Sequence, residues 1–253
     1  MTNLEFYNEF DVLYNNITSN QAPGLDEYEK SVFLTRAQDD IIKAYFSDKT
    51  NKNQEGYDGS EIRQADFSKI TKTEEFTTFD NALFDNNENS KSVSLKDEVY
   101  FIINEYLIVN RKIDNNTVSK RLTVLPINYN KYNTLMSKPF KRPLKTNAWR
   151  LIGSNDKGKT VELIVGPNDT ITKYKIRYII KPTPIILKDL GDLKIDDKST
   201  ATECILDPIL HRDILQRAVE LAKATYIGDL SSQIALGQSS QTGIGYVTQN
   251  NQQ

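Results

Sequence analysis

The chain has 253 residues, 38% of them hydrophobic and 9% aromatic, which is enough for one large domain or two modest ones. Its single cysteine, Cys204, and single histidine, His211, exclude an internal disulfide framework and zinc sites built from clusters of these residues. The net charge of −2 hides a strong segregation: 8 basic against 18 acidic residues in 1–90 (net −10), 19 against 7 in 91–188 (net +12), and 5 against 9 in 189–253 (net −4).

Such a chain has strong local fields and almost no net field, which suits neighbours of complementary charge, other copies of itself included. No apolar run approaches the ~18–20 residues that cross a bilayer, and Met1 to Glu5 lacks the basic and then apolar regions of a secretory signal. A soluble protein with no membrane partner is expected.

Phe6, Phe10, Leu13, Tyr14 and Ile17 recur three or four apart and predict a helix near 4–17, with Glu5, Glu9 and Asp11 left to solvent. A turn-forming run from Thr18 to Gly24 ends it. Asp26, with Glu29 three residues on, has the spacing of a capping box, and Phe33, Ala37, Ile41, Ala44 and Tyr45 extend a stripe down a helix near 26–46. Residues 47–59 are too polar for a core and read as a loop, with a shorter helix starting at Ser60.

From about residue 92 the period changes. Segments 99–103, 106–109, 122–125, 149–152, 161–165 and 174–180 are short, rich in β-branched and aromatic residues, and divided by Asn, Gly, Pro and Asp, as strands are. Lys173, Lys175 and Arg177 alternate with Tyr174, Ile176 and Tyr178, the period of a strand with one buried and one positive face. Residues 128–137 predict a short helix between strands. Asp207 and Pro208 then open a helix near 208–227 whose stripe is Leu210, Ile214, Ala218, Leu221, Ala222 and Thr225.

After Asp229 no charged residue occurs up to Gln253. That composition suits a disordered terminus, while Ile234, Leu236, Ile244, Tyr246 and Val247 are spaced as apolar anchors for a partner subunit. Both readings stand on the sequence. The fold expected is α+β: a helical core from the N- and C-terminal segments with an antiparallel β-barrel or sandwich insertion. Its parts are a helical domain (1–90 and 189–229), a basic β domain (91–188) and an uncharged tail (230–253).

One stretch matches a catalytic pattern letter for letter. Residues 153–160, from Gly153 to Gly158-Lys159-Thr160, spell the phosphate loop of nucleotide hydrolases. That loop must open a helix, whose N-terminal amides bind the anion. Here a β-branched run, Val161 to Val165, follows, so strand, turn and strand is expected, with 155–158 at the tip of a hairpin. His211 has no nucleophile signature around it and reads as structural or interfacial. No catalytic, cofactor-binding or metal residue is assigned, and neither an enzyme nor a cofactor is expected.

Lys138, Phe140, Lys141, Arg142 and Lys145, with Trp149 and Arg150 beyond, mix cations with aromatics as nucleic-acid binders do, but without a recognised binding signature. Contact with acidic protein neighbours is the favoured reading, and a nucleic-acid-binding module using the basic β region is the alternative.

The segments 25–46 (Leu-Asp-Glu-Tyr-Glu-Lys-Ser-Val-Phe-Leu-Thr-Arg-Ala-Gln-Asp-Asp-Ile-Ile-Lys-Ala-Tyr-Phe) and 206–226 (Leu-Asp-Pro-Ile-Leu-His-Arg-Asp-Ile-Leu-Gln-Arg-Ala-Val-Glu-Leu-Ala-Lys-Ala-Thr-Tyr) resemble structural proteins of crAss-like tailed bacteriophages, with 139–143, 148–151 and 176–187 in the same pattern. The head-to-tail connector proteins, rings and adaptors, are the most similar. The resemblance implies a virion protein of the portal-proximal tail, assembled in the host cytoplasm as a homo-oligomeric ring of twelve copies. Its partners would be the portal protein, neighbouring ring proteins and the packaged DNA that passes at genome ejection. It also implies that the C-terminal extension grips the portal.

Overall fold

The computed structural model describes residues 1–15, 24–46, 61–85, 88–96, 98–113, 116–143, 146–156 and 158–226. In chain order these form α1 (Asn3–Asn15), α2 (Glu27–Phe46), α3 (Glu61–Asp66), β1 (Thr71–Phe76), β2 (Asp80–Asn81), β3 (Lys91–Ser94), β4 (Val99–Ile113), β5 (Asn116–Pro126), α4 (Tyr129–Met136), β6 (Asn147–Asn155), β7 (Gly158–Ile164), β8 (Asp169–Ile180) and α5 (His211–Tyr226). The chain divides into two compact units, Met1–Ile70 with Pro182–Gln253, and Thr71–Lys181.

In the helical unit, capping explains where the helices begin. Asp26 and Glu29 exchange bonds as their spacing predicts: the Glu29 amide donates to Asp26 Oδ1 at 2.7 Å and the Asp26 amide to Glu29 Oε2 at 3.1 Å. Thr2 and Glu5 form a second capping box before α1. Asp207 accepts the Ile209 amide at 3.1 Å over a 3-10 turn, Pro208–Leu210, that leads into α5. Phe6, Phe10 and Tyr14 of α1, Leu34, Ala37 and Ile42 of α2, and Ile214, Ala218 and Ala222 of α5 are buried.

Residues 182–206 cross this unit almost without regular structure, apart from the isolated bridges Ile186–Thr202 and Ile195–Lys198. Buried backbone groups must still find partners. Side chains of α2 supply them: Thr35 Oγ1 donates to Ile185 O and accepts the Ile185 amide, Ser31 Oγ accepts the Leu187 amide, and Gln38 Nε2 donates to Thr183 O at 3.0 Å. The Cys204 thiol donates to Gln38 Oε1 at 3.5 Å, and burial pushes its pKa up to about 11.

The second unit is one curled eight-stranded sheet in the order β1-β8-β4-β5-β6-β7-β3-β2. All neighbours pair antiparallel except β5 and β6, which are parallel from Thr123–Asn147 to Pro126–Arg150. This departs from the expected antiparallel barrel or sandwich in two ways: the sheet is mixed, and it is a single open layer with β1 and β2 at its edges. The parallel pair arises because residues 127–146, α4 included, are a crossover, and parallel neighbours need such a connection.

One sheet face buries Leu107, Val109, Leu122, Val124, Ala148, Leu163, Tyr174, Ile176 and Tyr178 in a single cluster. The other packs Trp149, Leu151 and Ile164 against Tyr132, Leu135 and Met136 of α4. Two charge pairs lie inside the sheet unit. Arg150 meets Glu105 at 2.9 Å, with the Tyr174 hydroxyl donating to the same carboxylate at 2.7 Å. Arg111 holds Asp169 through two bonds of 2.6 Å.

Candidate functional site

The basic aromatic turn predicted as a contact is built by α4. Tyr132 fixes the helix to the sheet, its hydroxyl donating to Asp85 Oδ1 at 2.6 Å while Ser90 Oγ donates to Asp85 Oδ2. Burial and the Asp85 carboxylate hold the Tyr132 pKa well above the usual tyrosine range. Buried Glu162 of β7 accepts the amides of Phe84 and Asp85 at 3.1 and 2.7 Å, which anchors the loop that Tyr132 grips.

After α4 the chain turns tightly: the Lys138 amide donates to Leu135 O, the Lys141 amide to Lys138 O, and Arg142 Nε to Met136 O. Pro139 and Pro143 stiffen it further. The result is a fixed knob carrying Lys138, Lys141 and Arg142, all exposed, with Phe140 at its tip 95% exposed. Leaving a phenylalanine in water forgoes roughly 1.5–3 kcal/mol of burial. A rigid aromatic anchor with flanking cations is the kind of group that fills a pocket on an acidic partner.

Four of the expected contact residues, Lys138, Phe140, Lys141 and Arg142, therefore share one turn. Lys145 and the tail residues Ile234, Leu236, Ile244, Tyr246 and Val247 lie outside the described residues. Trp149 and Arg150, read as part of the basic aromatic surface, belong to the interior instead: Trp149 packs under α4 and Arg150 is paired with Glu105. The positive face of β8 exists, with Lys173 and Arg177 exposed, but β1 lies beside it and brings Glu75 to within 2.9 Å of Lys173. Lys72–Glu98 and Lys96–Glu74 pair on the same unit, so its positive charge is partly offset.

The phosphate-loop look-alike is a β-hairpin. β6 and β7 pair from Trp149–Ile164 to Asn155–Gly158, with Gly158 at φ 106° in the turn. Lys159 donates its ammonium to Val99 O at 3.2 Å, and burial lowers its pKa. Gly153 has a packing reason to be glycine, since an added Cβ would lie 2.7 Å from the Tyr129 hydroxyl. His211 accepts the Met1 amino group on Nδ1 at 2.6 Å and donates Nε2–H to Leu206 O at 3.2 Å, which fixes a neutral tautomer against the Phe6 ring.

A second set of exposed apolar side chains was passed over in the sequence: Leu4 and Val12 on α1, Ile113 and Val118 on the β4–β5 hairpin. Leu4 and Val12 fall off the Phe6-Phe10-Tyr14 stripe, and that offset was the available signal.

The family profile for phage tail ring protein 3/4 matches residues 1–233. The chain is 49% identical to ring protein 4/5 of Bacteroides phage crAss001 over 244 residues, 94% of this chain and 98% of that protein. It is 34% identical to ring protein 3 of the same phage over 223 residues, 88% of this chain and 95% of that one. With nearly its whole length matched to ring proteins, the chain belongs to the tail ring protein family of crAss-like phages.

Proposed function

We propose that this tail ring protein is a connector subunit. Twelve copies form a ring in the portal-proximal tail, joining the portal to the tail and lining the channel through which the genome leaves. The observation that carries this reading is the charge division: Met1–Ile70 with Pro182–Gln253 holds 13 basic and 22 acidic residues, net −9, and Thr71–Lys181 holds 19 and 12, net +7. A subunit with opposite charges on two units is suited to stacking on and beside copies and relatives of itself. The helical unit acts as the adaptor portion, the Phe140 knob contacts an acidic neighbour, and the uncharged residues 230–253 dock on the portal. Assembly takes place in the host cytoplasm, and no reaction is assigned.

Cryo-electron microscopy of the virion tests this directly. Twelve copies in a ring between portal and tail support it, whereas another copy number or a position distant from the portal overturns it. The net +7 of the sheet unit favours one second reading, a nucleic-acid-binding module, although its surface ion pairs argue for weak binding. Submicromolar binding to duplex or single-stranded DNA at physiological salt, lost when Lys141 and Arg142 are neutralised, would favour that second reading.

A further inference from the structure

We infer that in the ring the outward face of α1 in one copy receives the β4–β5 hairpin of the next copy, a contact that rests on the ring reading and names its partner as a second copy of this chain. The helix side comes first. Phe6, Phe10 and Tyr14 face the core, and Leu4, Asn8 and Val12, spaced four apart, lie on the opposite side. Leu4 is 68% and Val12 59% exposed, and Glu5 and Glu9 run alongside them. α1 contains no lysine or arginine, and its one ion pair among the described residues uses Asp11, with Lys30. The outward face is therefore apolar and acidic.

The hairpin has the opposite character. β6 joins β5 only from Thr123 onward, so among the described residues the outer edge of β5 from Asn116 to Leu122 faces no strand. Residues 116–121 are exposed without a break. The pairs Leu107–Leu122, Val109–Lys120, Arg111–Val118 and Ile113–Asn116 share one face, so the apolar row of the core runs outward to exposed Ile113 and Val118, with Lys120 among them. Lys112 stands on the other face near the tip. Neither lysine forms an ion pair with another described residue, and Asp114 is the only acidic residue against four basic ones in 110–121.

A helix laid on the extended face of a sheet is a standard way to bury both apolar surfaces. Here it would also set Glu5 and Glu9 against Lys120, which shares that face. Closed rings need a heterologous contact, in which two different patches of one chain meet on successive copies, and these patches are different and complementary. DNA would satisfy the lysines but would leave Ile113, Val118, Leu4 and Val12 uncovered.

The test is a charge exchange on the full chain, read as oligomer mass by mass photometry. Glu5→Lys with Glu9→Lys, and separately Lys120→Glu, are each expected to weaken self-association at least tenfold. An equimolar mixture should recover it, because every junction in an alternating ring is again between opposite charges. That recovery also shows that both variants fold. If both variants assemble like the unaltered chain, or if the mixture does not recover while each keeps the original melting temperature, the contact is wrong and the ring reading stands. If the unaltered chain does not self-associate, the ring reading falls and this contact with it. If Lys120→Glu abolishes DNA binding and leaves self-association intact, the hairpin is a nucleic-acid contact and the inference is overturned.

Discussion

In the helical unit, residues 182–206 lack a strand partner over most of their length and lean on Ser31, Thr35 and Gln38 of α2 for their hydrogen bonds. In the sheet unit most of the backbone is paired in its own ladders, and two buried charge pairs, Arg150 with Glu105 and Arg111 with Asp169, lie in its interior. Over residues 182–206 the helical unit thus depends on neutral side chains that stand in for a missing strand, whereas the sheet carries buried ion pairs between its own strands. The difference matters because breaking the two kinds of contact costs different amounts. A buried pair that loses one partner leaves an uncompensated charge, while a lost side-chain bond leaves one or two neutral backbone groups without a partner.

The largest effect is therefore expected from Glu105→Ala, which strands the Arg150 guanidinium in the sheet and removes the acceptor of the Tyr174 hydroxyl. A loss of about 3–5 kcal/mol is expected. Glu105→Leu combined with Arg150→Met should recover most of it, since a well-packed apolar pair replaces a buried ionic one at little cost. Urea denaturation, with hydrogen exchange to locate the effect, should show the loss in residues 71–181. If the double variant is as unstable as the single one, the pair does more than satisfy itself.

Thr35→Val is the counterpart in the helical unit. It keeps the shape of the side chain but removes both bonds to Ile185, and roughly 1–3 kcal/mol should be lost there. Faster exchange around Ile185, with the sheet amides unchanged, is the expected pattern. Uniformly faster exchange in both units would mean that they unfold as one.

A smaller, pH-dependent effect belongs to His211. Burial, and then the Met1 amino group, lower its pKa below the ordinary value of about 6.5, because the protonated ring would have to give up its acceptor role at Nδ1. A lowered histidine pKa means that the unfolded chain takes up the proton first. The stability His211 contributes is complete above about pH 6.5 and declines as the pH falls through the folded value. Melting temperatures between pH 7 and 5 should fall for the natural chain and fall less for His211→Gln. Equal slopes would show that other groups carry the acid sensitivity.

How much of this was legible in the sequence depended on whether the signal was local. Asp26 with Glu29 and Asp207 with Pro208 announce helix starts because a cap uses residues three or fewer positions apart. The inward Tyr174-Ile176-Tyr178 row was equally plain, because alternation is a property of one strand. β1 was not, since Thr-Lys-Thr-Glu-Glu-Phe is mostly polar and becomes a strand only because β8 offers it a ladder from Thr71–Ile179 to Phe76–Tyr174. The interior positions of Trp149 and Arg150 were likewise invisible, because they depend on α4 and on Glu105, a residue 45 positions away. The parallel β5–β6 pair was readable in principle: a helix between two strands implies a crossover. At the candidate site, the cluster of cations around Phe140 was legible as composition, while the turn that fixes it needed the backbone bonds to Leu135, Met136 and Lys138.

The smallest effect on the fold, and the sharpest on function, is expected at Phe140. Its ring is almost wholly in water, and the bonds that hold the turn come from the backbone and Arg142, so Phe140→Ser should change stability by no more than about 0.5 kcal/mol in either unit. If the ring fills a pocket on a neighbour, the same change removes a central aromatic anchor, a class of residue whose loss costs about 2 kcal/mol or more of binding. Virions, or rings reconstituted from the pure chain, should then incorporate Phe140→Ser at least an order of magnitude less well at limiting protein concentration. Phe140→Tyr should restore most of it, because the aromatic body is kept. Neutralising Lys138 and Lys141 should instead act through charge, with a deficit that largely disappears at high salt, where the natural contact is screened as well. Normal incorporation of Phe140→Ser would show that the knob faces water in the virion too, and the assembly contacts would then have to be sought on α1, on the β4–β5 hairpin and in residues 230–253.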